Sequence, residues 1–459
     1  MTPTDIRERK FEEEIESVLL GTRTSLGAAE KPGDNYSTYS LDFTSGGYNK
    51  RTSDQYDKTL CLIPQDAVDF VIVTQPKEWE KLKAQHPEDA KQRFLSRLAD
   101  EVTRRGTLEV LRGGIKLNGC SFKMAYFKPA SGLNADVISL YRANLFCVLR
   151  QWEYSEKNKN SIDMGLFLNG LPVFSAELKN PLTGQSYRNA IKQYQFDRDP
   201  REPLFAFGRC LAHFAVDPDE IYVSTRLQGP QTHFIPFNQG KDYGAGTPAN
   251  LKGYATEYLW NRIWSRESVL DLVGNFIQLV EEEDDKGKKT GKRTLLFPCF
   301  HQLEGVRGLL RDAQTSGAGK RYLIQHSAGS GKSNTIAWLA HQMTSLHDSS
   351  DKRVFDSIVV VTDRRVLDRQ LRRTVRQFQQ VDGVVEAIDK TSAQLKEALE
   401  QGKQVIVTTL QKFGVIVETM GELKGNRFAV LVDEAHSSQS GETSASLKLV
   451  LAAGGLEEA

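Results

Sequence analysis

Two carboxylates and a lysine in the first half of the sequence have the types needed for metal-dependent phosphodiester hydrolysis. They are Asp163, Glu177 and Lys179, within "SIDMGLFLNGLPVFSAELKN". Two carboxylates can hold Mg²⁺, while a neighbouring ammonium orients or deprotonates the attacking water and stabilises the charge developing on phosphorus. The alternative is a surface ion pair, because Glu177 and Lys179 lie on one face of a strand. On these two residues alone, the ion pair is favoured.

The elements that must bring Asp163 to Glu177 are two strands joined by a turn. Asn169-Gly170 between two apolar runs predicts a hairpin with strands over about 162–168 and 173–178. A regular two-residue turn would place Asp163 opposite Ala176, so Glu177 would point away. Convergence requires a three-residue loop or a one-residue bulge, and Pro172 is a plausible cause because it cannot donate to a ladder. We predict such an irregularity; a regular hairpin would count against the metal site.

A second chemical signature is the glycine-rich stretch "HSAGSGKS", residues 326–333. It lies between an expected strand, "YLIQ", and an expected helix, the order that a phosphate-binding loop needs. Gly329 and Gly331 let backbone N–H groups point at phosphates, Lys332 would reach the β- and γ-phosphates, and Ser333 would ligate Mg²⁺. The first glycine of the full pattern is replaced by His326. Glycine-rich turns before helices also occur without a ligand.

Two acids at the end of the apolar run "FAVLVDEAH" complete this signature. Strands of a parallel sheet present their carboxyl ends at the edge where ligands bind. Asp433 is suited to the water shell of Mg²⁺, and Glu434 to polarising the water that attacks the γ-phosphate. A helix N-cap is the alternative for two such acids. Their combination with the glycine-rich loop favours the ATPase interpretation.

Length and composition indicate a multidomain globular protein. The 459 residues are 39% hydrophobic and 26% charged with a net charge of +1, so a surface that binds DNA must be a local patch. Five scattered cysteines without a CxxC pair suggest reduced thiols, and no apolar run is long enough to span a membrane. We expect a cytoplasmic protein that is not bound to a membrane.

Charge runs and periodicity suggest where the domains divide. "EEEDDKGKKTGKR", residues 281–293, has the composition of a linker between a domain over 1–280, with a helical C-terminal extension, and another over 294–459. In the second domain, "RYLIQHS", "SIVVVT", "VIVTT" and "FAVLVDEA" alternate with helix-like segments. This alternation predicts an α/β domain with a buried parallel sheet.

"GSGKS" and "DEAH" resemble motifs I and II of superfamily 2 helicases. The resemblance implies that Gln302, in "FPCFHQLEGVR", reads the adenine edge. It also implies that the segments "VVTDRRVLDRQ" and "VTTLQKF" contact the DNA backbone, through Arg364, Arg365, Thr408 and Thr409. With the loop, the candidate ATP-binding residues are Gln302, Ser327, Ala328, Gly329, Ser330, Gly331, Lys332, Ser333, Asp433 and His436.

The helix that follows the first of these segments has two distinct faces. Arginines spaced four, three and four residues apart form one face, and apolar residues form the other. A basic face can contact phosphates in a sequence-independent way, or it can simply be solvated. The basic residues are Arg365, Arg369, Arg372 and Arg376; the apolar ones are Leu367, Leu371, Val375 and Phe378.

The first half resembles a nuclease. The spacing from Asp163 to Glu177 and Lys179 is similar to the PD-(D/E)xK core. With "FEEEIESVLL", "AVDFVIVTQPKEW", "HFAVDPDEIYVST" and "HFIPFNQG", the chain resembles the R subunit of type I restriction endonucleases from about residue 8 onward. This implies an α/β fold with a RecB-like nuclease domain followed by the first RecA-like helicase domain. Glu12 and Gln193 are weaker candidates from the same resemblance; the family's Gln-x-x-x-Tyr spacing is not kept at Gln193.

The resemblance implies ATP-dependent translocation and Mg²⁺-dependent double-strand cleavage of unmodified DNA. The expected cofactors are ATP and Mg²⁺, with S-adenosylmethionine used only by a partner. The expected partners are double-stranded DNA and the methyltransferase and specificity subunits. Two alternatives stay open: a DNA-dependent ATPase or remodeller whose first half only binds DNA, and a RecB-like repair helicase-nuclease. No second RecA-like domain follows motif II, so we expect a truncated chain that binds ATP but does not translocate alone.

Overall fold

The computed structural model describes residues 3–22, 46–181, 184–242, 244–284, 288–327, 329–362, 365–378, 384–388, 394, 397–399, 401–409 and 427–433. The chain divides into two compact units. The first comprises residues 1–129, 134–279 and 294–301, and the second comprises 130–133, 280–293 and 302–459. Among the described residues, no helix is both long and apolar enough to cross a membrane.

The first unit is built on a seven-stranded mixed sheet with the order β1-β4-β5-β6-β7-β8-β9. The β1/β4 and β6/β7 pairs are parallel, and the other neighbours are antiparallel. A separate antiparallel pair is formed by β2 and β3. The strands are β1 (Asn49–Arg51), β2 (Ile115–Leu117), β3 (Cys120–Phe122), β4 (Phe146–Glu153), β5 (Ser161–Leu168), β6 (Leu171–Leu178), β7 (Ala212–Val216), β8 (Ile221–Ser224) and β9 (Ile235–Pro236).

Helices cover this sheet, and prolines set some of their boundaries. Pro64 and Pro76 each open a helix, where a missing backbone N–H costs nothing, and Pro76 also ends the helix before it. Helix α7 continues directly into a π-helical turn over Gln193–Asp197. The helices are α1 (Pro3–Leu20), α2 (Pro64–Thr74), α3 (Pro76–Gln85), α4 (Ala90–Arg105), α5 (Thr107–Gly113), α6 (Ala135–Arg142), α7 (Tyr187–Lys192) and α8 (Arg266–Asp271).

Strand β6 forms the centre of the first unit, because every one of its residues is buried. Helices α1, α5 and α7 contact it, so it needs apolar side chains on both faces. Nearby, the rings of Tyr56, Trp152 and Phe167 meet edge to face in the core. Any charged side chain on β6 is therefore held inside the protein.

The hairpin between β5 and β6 has the predicted two-residue turn together with the predicted bulge. Asn169 and Gly170 both have positive φ, 51° and 81°, as a turn that matches the twist of a hairpin requires. Phe167 pairs with Pro172, but Leu166 pairs with Phe174, so Val173 is the extra residue. The register slip expected near Pro172 is confirmed.

The segment interpreted as a charged linker, residues 281–293, contains paired strands. β10 (Gln278–Glu283) and β11 (Lys289–Leu296) form a two-stranded sheet. Its acidic and basic runs face each other: Lys289 Nζ lies 3.1 Å from Glu281, and Lys292 Nζ lies 3.0 Å from Glu282. The change of charge sign along the sequence is thus an arrangement of cross-strand ion pairs, which composition alone could not distinguish from a linker.

The second unit contains a four-stranded parallel sheet with the order β13-β14-β12-β15. Three of the four strands predicted by β-α alternation are confirmed as β12, β14 and β15. The elements are α9 (Phe300–Ser316), α10 (Lys332–Met343), β12 (Ser357–Thr362), α11 (Arg365–Gln377), β13 (Val385–Ala387), β14 (Val405–Thr409) and β15 (Phe428–Val432). This is the α/β architecture expected for the second domain.

The fourth segment predicted to be a strand, "RYLIQHS", does not form a strand. Residues 321–327 belong to no strand of the described chain, and Leu323 is 85% exposed. The start of this segment is tied instead to α9, because Lys320 and Tyr322 both bind the Asp312 carboxylate. Apolar, β-prone residues therefore precede the glycine-rich loop without joining the ladder.

Candidate nuclease centre and nucleotide site

The bulge brings the three predicted nuclease residues to one place. Beyond it, Met164 pairs with Ala176, a register that sets Asp163 beside Glu177. Asp163 Oδ2 accepts a hydrogen bond from the backbone N–H of Leu178 at 2.8 Å, and Lys179 Nζ lies 3.2 Å from the same oxygen. Lys179 is buried and thus is not part of an exposed ion pair with Glu177. The surface salt-pair interpretation does not describe this arrangement.

One carboxylate oxygen of Glu177 accepts hydrogen bonds, and the other has no hydrogen-bond partner among the described residues. Its side chain is fully buried, and Oε1 lies 2.7 Å from both Nε and Nη2 of Arg198. Oε2 is buried without a hydrogen-bond partner in the described part of the chain. Burial, reinforced by the charge of Asp163, raises the pKa of Glu177 to about 8. An unpartnered carboxylate oxygen beside a second carboxylate fits a divalent cation.

The protein side chains supply only part of a metal coordination sphere. Within the described ranges, no group of three or more His, Cys, Asp or Glu side chains could hold a metal ion. Asp163 and Glu177 are a pair of carboxylates. Mg²⁺ usually retains several waters and is bound through one or two carboxylates together with phosphate oxygens, so two protein carboxylates are consistent with it.

Glu12 of α1 lies close enough to Asp163 to respond to its charge. Burial, followed by the Asp163 charge, raises the pKa of Glu12 to about 7. Both Glu12 oxygens are occupied, Oε2 by Arg150 Nε and Oε1 by Gln151 Nε2, each at 3.1 Å. The structure thus distinguishes Glu12 from the glutamates beside it. Its described contacts are hydrogen bonds to other side chains.

Gln193 opens the π-helical turn after α7, and its Oε1 is buried without a described hydrogen-bond partner. No described hydrogen bond connects it to the three nuclease candidates. The adjacent Tyr194 is fully buried, and its hydroxyl lies 2.9 Å from Ser175 Oγ. Tyr194 is therefore a core residue.

Arg198, which holds Glu177, was missed by sequence reasoning. It lies in "FDRDP", where an arginine between two acids resembles an exposed turn. Only the fold shows that its guanidinium is buried, with a side-chain exposure of 7%. A buried arginine is almost always paired with an acid, but the sequence alone did not show that Arg198 is buried.

The glycine-rich loop has the backbone conformation expected of it. Gly329 and Gly331 have φ of 75° and 81°, and Gly331 is the N-cap of α10, so Lys332 and Ser333 open the helix. Gln302 Nε2 donates to the carbonyls of Ser330 at 3.0 Å and Gly331 at 3.1 Å. Gln302 thus holds the loop in this structure. Ser327 lies exposed before it, and Ala328 is outside the described residues.

Asp433 is found at the predicted edge of the sheet. It follows β15 directly, and its backbone N–H donates to Val361 O at 2.9 Å. The neighbouring strands β12 and β14 end at the paired Thr362 and Thr409. Three polar residues therefore meet where parallel strands present their carboxyl ends. Glu434 and His436 lie outside the described residues.

Comparison with known proteins follows the same two-unit order. Residues 49–232 match the family model of the type I restriction enzyme R protein N terminus, and residues 301–454 match that of the SWI2/SNF2 ATPase. The chain is thus similar to R proteins of type I restriction enzymes in its first part and to SWI2/SNF2 ATPases in its second. The mixed α/β fold fits an N-terminal nuclease domain followed by an SNF2-like ATPase domain.

Curated members of the R-protein family align with much of this sequence. The HindI endonuclease subunit of Haemophilus influenzae is 27% identical over 94% of this chain and 39% of its own length. The putative MjaVIIIP endonuclease subunit of Methanocaldococcus jannaschii is 24% identical over 65% of the chain and 29% of its own length. This chain therefore spans about two fifths or less of the length of these relatives.

The predicted DNA contacts of this chain receive mixed support. Thr408 is fully buried and Thr409 nearly so, which does not favour contact between their side chains and a DNA backbone. Arg365 is the first residue of α11, and Arg364 lies outside the described residues. Further along α11, Arg372 Nη2 donates to the carbonyl of Ile388 at 3.4 Å.

The predicted apolar face of α11 is confirmed where its side chains are described, because Leu371, Val375 and Phe378 are buried. Outside the predicted basic face, Arg373 Nε lies 3.0 Å from Glu283 of β10. Among the arginines of the predicted basic face whose side chains are described, Arg376 is exposed to solvent and Arg372 is partly buried.

Proposed function

We propose that this chain forms the nuclease centre and the first motor domain of a type I restriction subunit. It would cleave both strands of unmodified DNA with Mg²⁺ and use ATP for translocation. Methyltransferase and specificity subunits would be its partners, with S-adenosylmethionine used by the former. The observation that carries the proposal is the convergence of Asp163, Glu177 and Lys179 through a bulge in one hairpin. The relatives are named as endonuclease subunits of type I restriction enzymes, which agrees with it.

The nuclease chemistry follows from the positions of these three side chains. Asp163 and the free oxygen of Glu177 would hold Mg²⁺, which when bound polarises the scissile phosphate and offsets its developing charge. Lys179 is held beside Asp163, where its ammonium can orient the attacking water or stabilise the pentavalent phosphate. Burial restricts the Lys179 ammonium to the protein interior, and the hairpin fixes the distance between this ammonium and the carboxylates.

The motor domain would bind ATP at the start of α10. The loop around Gly329 and Gly331 offers backbone N–H groups to phosphates, and Lys332 supplies a charge for the β- and γ-phosphates. Ser333 and Asp433 would hold the Mg²⁺ of the nucleotide. In the same proposal, the remaining roles belong to Glu434 as acceptor for the attacking water, His436 and Ala328 in the ATP site, and Arg364 and Arg365 on DNA.

Two rival functions are open to test. A DNA-dependent ATPase or remodeller with a first half that only binds DNA would account for the SWI2/SNF2 match. It gives no reason for a buried, unpartnered oxygen on Glu177 beside a second carboxylate. A RecB-like repair enzyme would use the same nuclease centre, but it would act at DNA ends without methyltransferase partners.

The deciding experiment uses the complete subunit in its assembled complex. Lys179→Ala should remove Mg²⁺-dependent DNA cleavage while sparing DNA-stimulated ATP hydrolysis. Lys159→Ala, at an exposed lysine of the same domain, is the matched control and should change neither. Equal loss of both activities in Lys179→Ala would refute separate nuclease and motor sites. Cleavage at free DNA ends by the subunit alone would favour the repair enzyme.

A further inference from the structure

Arg198 makes an unusual ion pair with Glu177. Both residues are buried, yet the guanidinium does not grip both carboxylate oxygens. Its Nε and Nη2 each lie 2.7 Å from the same atom, Oε1. The common geometry for arginine and a carboxylate is two parallel hydrogen bonds, one to each oxygen. A purely structural pair inside a protein would gain from that geometry, because a buried oxygen without a partner is costly.

The guanidinium is itself fixed from two other sides. Nη2 also donates to the backbone carbonyl of Ser161, the first residue of β5, at 2.8 Å. The guanidinium carbon lies 5.9 Å from the centre of the Tyr154 ring. Contacts with β5 and with an aromatic ring therefore set the position of Arg198, and Arg198 in turn sets the orientation of the Glu177 carboxylate.

We propose that Arg198 is a positioning residue of the nuclease centre: it holds Glu177 by Oε1 and thereby reserves Oε2 for the divalent cation. The inference rests on the proposed function of Asp163, Glu177 and Lys179. Arg198 touches neither the cation nor DNA and acts through Glu177. Its positive charge also favours the ionised form of Glu177, which is the form that binds a cation.

Charge and orientation make opposite demands, which gives the proposal a sharp test. Removal of a positive charge beside Glu177 would by itself strengthen cation binding. Loss of the planar guanidinium fork would free the Glu177 carboxylate to rotate and would weaken cation binding. Arg198→Lys keeps the charge and removes the fork, so it isolates orientation. Arg198→Gln removes the charge and retains a planar donor.

Calorimetric titration of the full chain with Mg²⁺, without nucleotide or DNA, measures the effect directly. We expect Arg198→Lys to weaken Mg²⁺ binding about tenfold or more, and Arg198→Gln to weaken it less. Arg201→Lys is the matched control, because Arg201 is an exposed arginine of the same turn paired with Asp199, and it should bind as the unaltered chain does. In the assembled complex, Arg198→Lys should raise the Mg²⁺ concentration for half-maximal cleavage by a similar factor. The rate at saturating Mg²⁺ should change much less.

The outcomes separate this inference from the proposed function. If the unaltered chain shows no Mg²⁺ binding that Asp163→Asn abolishes, the metal centre itself is overturned. Binding that Asp163→Asn removes but Arg198→Lys leaves unchanged would overturn only the role of Arg198. If both Arg198 variants fail to fold, as judged by circular dichroism and thermal unfolding, Arg198 is a structural residue and the inference is also overturned.

Discussion

Lys179 Nζ lies 3.2 Å from Asp163 Oδ2 although sixteen residues separate the two along the chain. A single extra residue in β6, Val173, makes this contact possible. Without the slip, a two-residue turn at Asn169-Gly170 would face Asp163 toward Ala176. The bulge therefore converts a buried hairpin into a site with two carboxylates and an ammonium.

The turn that fixes this hairpin gives a first prediction. Gly170 has positive φ, and an added Cβ would lie 2.6 Å from the carbonyl oxygen of Ile63. Gly119 follows Asn118 in the β2–β3 turn with a similar φ of 73°, but a Cβ there would meet nothing within 4 Å. Gly119→Ala should lower the free energy of unfolding by about 1–2 kcal/mol through the left-handed backbone alone. Gly170→Ala should cost at least about 2 kcal/mol more, because a backbone clash adds to it.

Urea unfolding of the two variants measures this difference. Equal destabilisation would show that the contact with Ile63 does not constrain the turn.

The pH dependence of stability should reveal the buried carboxylate of Glu177. Its pKa is raised to about 8 in the fold from the usual 4.5. A group with a raised folded pKa contributes stability that is complete below its unfolded pKa and is lost as pH rises through the folded value. Between about pH 4.5 and 8, the chain without Mg²⁺ should therefore become less stable by up to about 1.4 kcal/mol per pH unit through this group.

The useful window for this measurement is pH 6.5 to 8.5. Burial lowers the pKa of His213 to about 3, so His213 contributes a change of opposite sign only below about pH 6.5. In the window, Glu177→Gln should flatten the pH dependence of unfolding, and Glu12→Gln should do so to a smaller extent near pH 7. A Glu177→Gln variant with an unchanged pH dependence would mean that Glu177 is ionised in the folded protein.

Nucleotide binding should depend on a contact between Gly331 and Gln302. An added Cβ on Gly331 would lie 2.5 Å from Gln302 Nε2, in addition to its strain at positive φ. Gly331→Ala should therefore weaken binding of a fluorescent ATP analogue about tenfold or more. Gln302→Ala should weaken it less, and the double variant should lose less than the sum of the single losses because the clash is gone. Strict additivity of the two free-energy changes would contradict the contact.

Thr408 offers a test of the helicase-motif assignment. Its hydroxyl is buried and has no hydrogen-bond partner in the part of the chain that the structure describes. Thr408→Val replaces an unpaired polar atom with a methyl group of similar size and should raise the free energy of unfolding by about 1 kcal/mol. DNA-stimulated ATP hydrolysis by the assembled complex should be unchanged. A clear loss of that stimulation would restore Thr408 as a DNA contact.

The sequence predicted the parts of the fold that depend on local pattern. Hydrophobic runs located β12, β14 and β15, and Asn169-Gly170 located the hairpin. The alternation of side chains along paired strands also showed that Asp163 and Glu177 could lie side by side only if the hairpin contained a bulge or an odd-numbered loop. These predictions succeeded because turn type and side-chain alternation are local properties.

The failures depended on tertiary context. Residues 281–293 resembled a linker because cross-strand ion pairs leave no trace in composition. Tyr322 belongs to no strand because the segment around it is bound to α9 instead of a ladder. Arg198 was missed because only the assembled core decides that an arginine between two aspartates is buried. Propensity cannot supply any of these facts.

The central claim is that Asp163, Glu177 and Lys179 form one metal-dependent nuclease centre separate from the motor. Glu177→Gln tests it most directly, because it removes one charge at a buried position with almost no change in shape. We predict that cleavage of unmodified double-stranded DNA by the assembled complex with ATP and Mg²⁺ falls about 100-fold or more, while DNA-stimulated ATP hydrolysis is preserved. Cleavage at the unaltered rate by a folded Glu177→Gln complex would contradict the account.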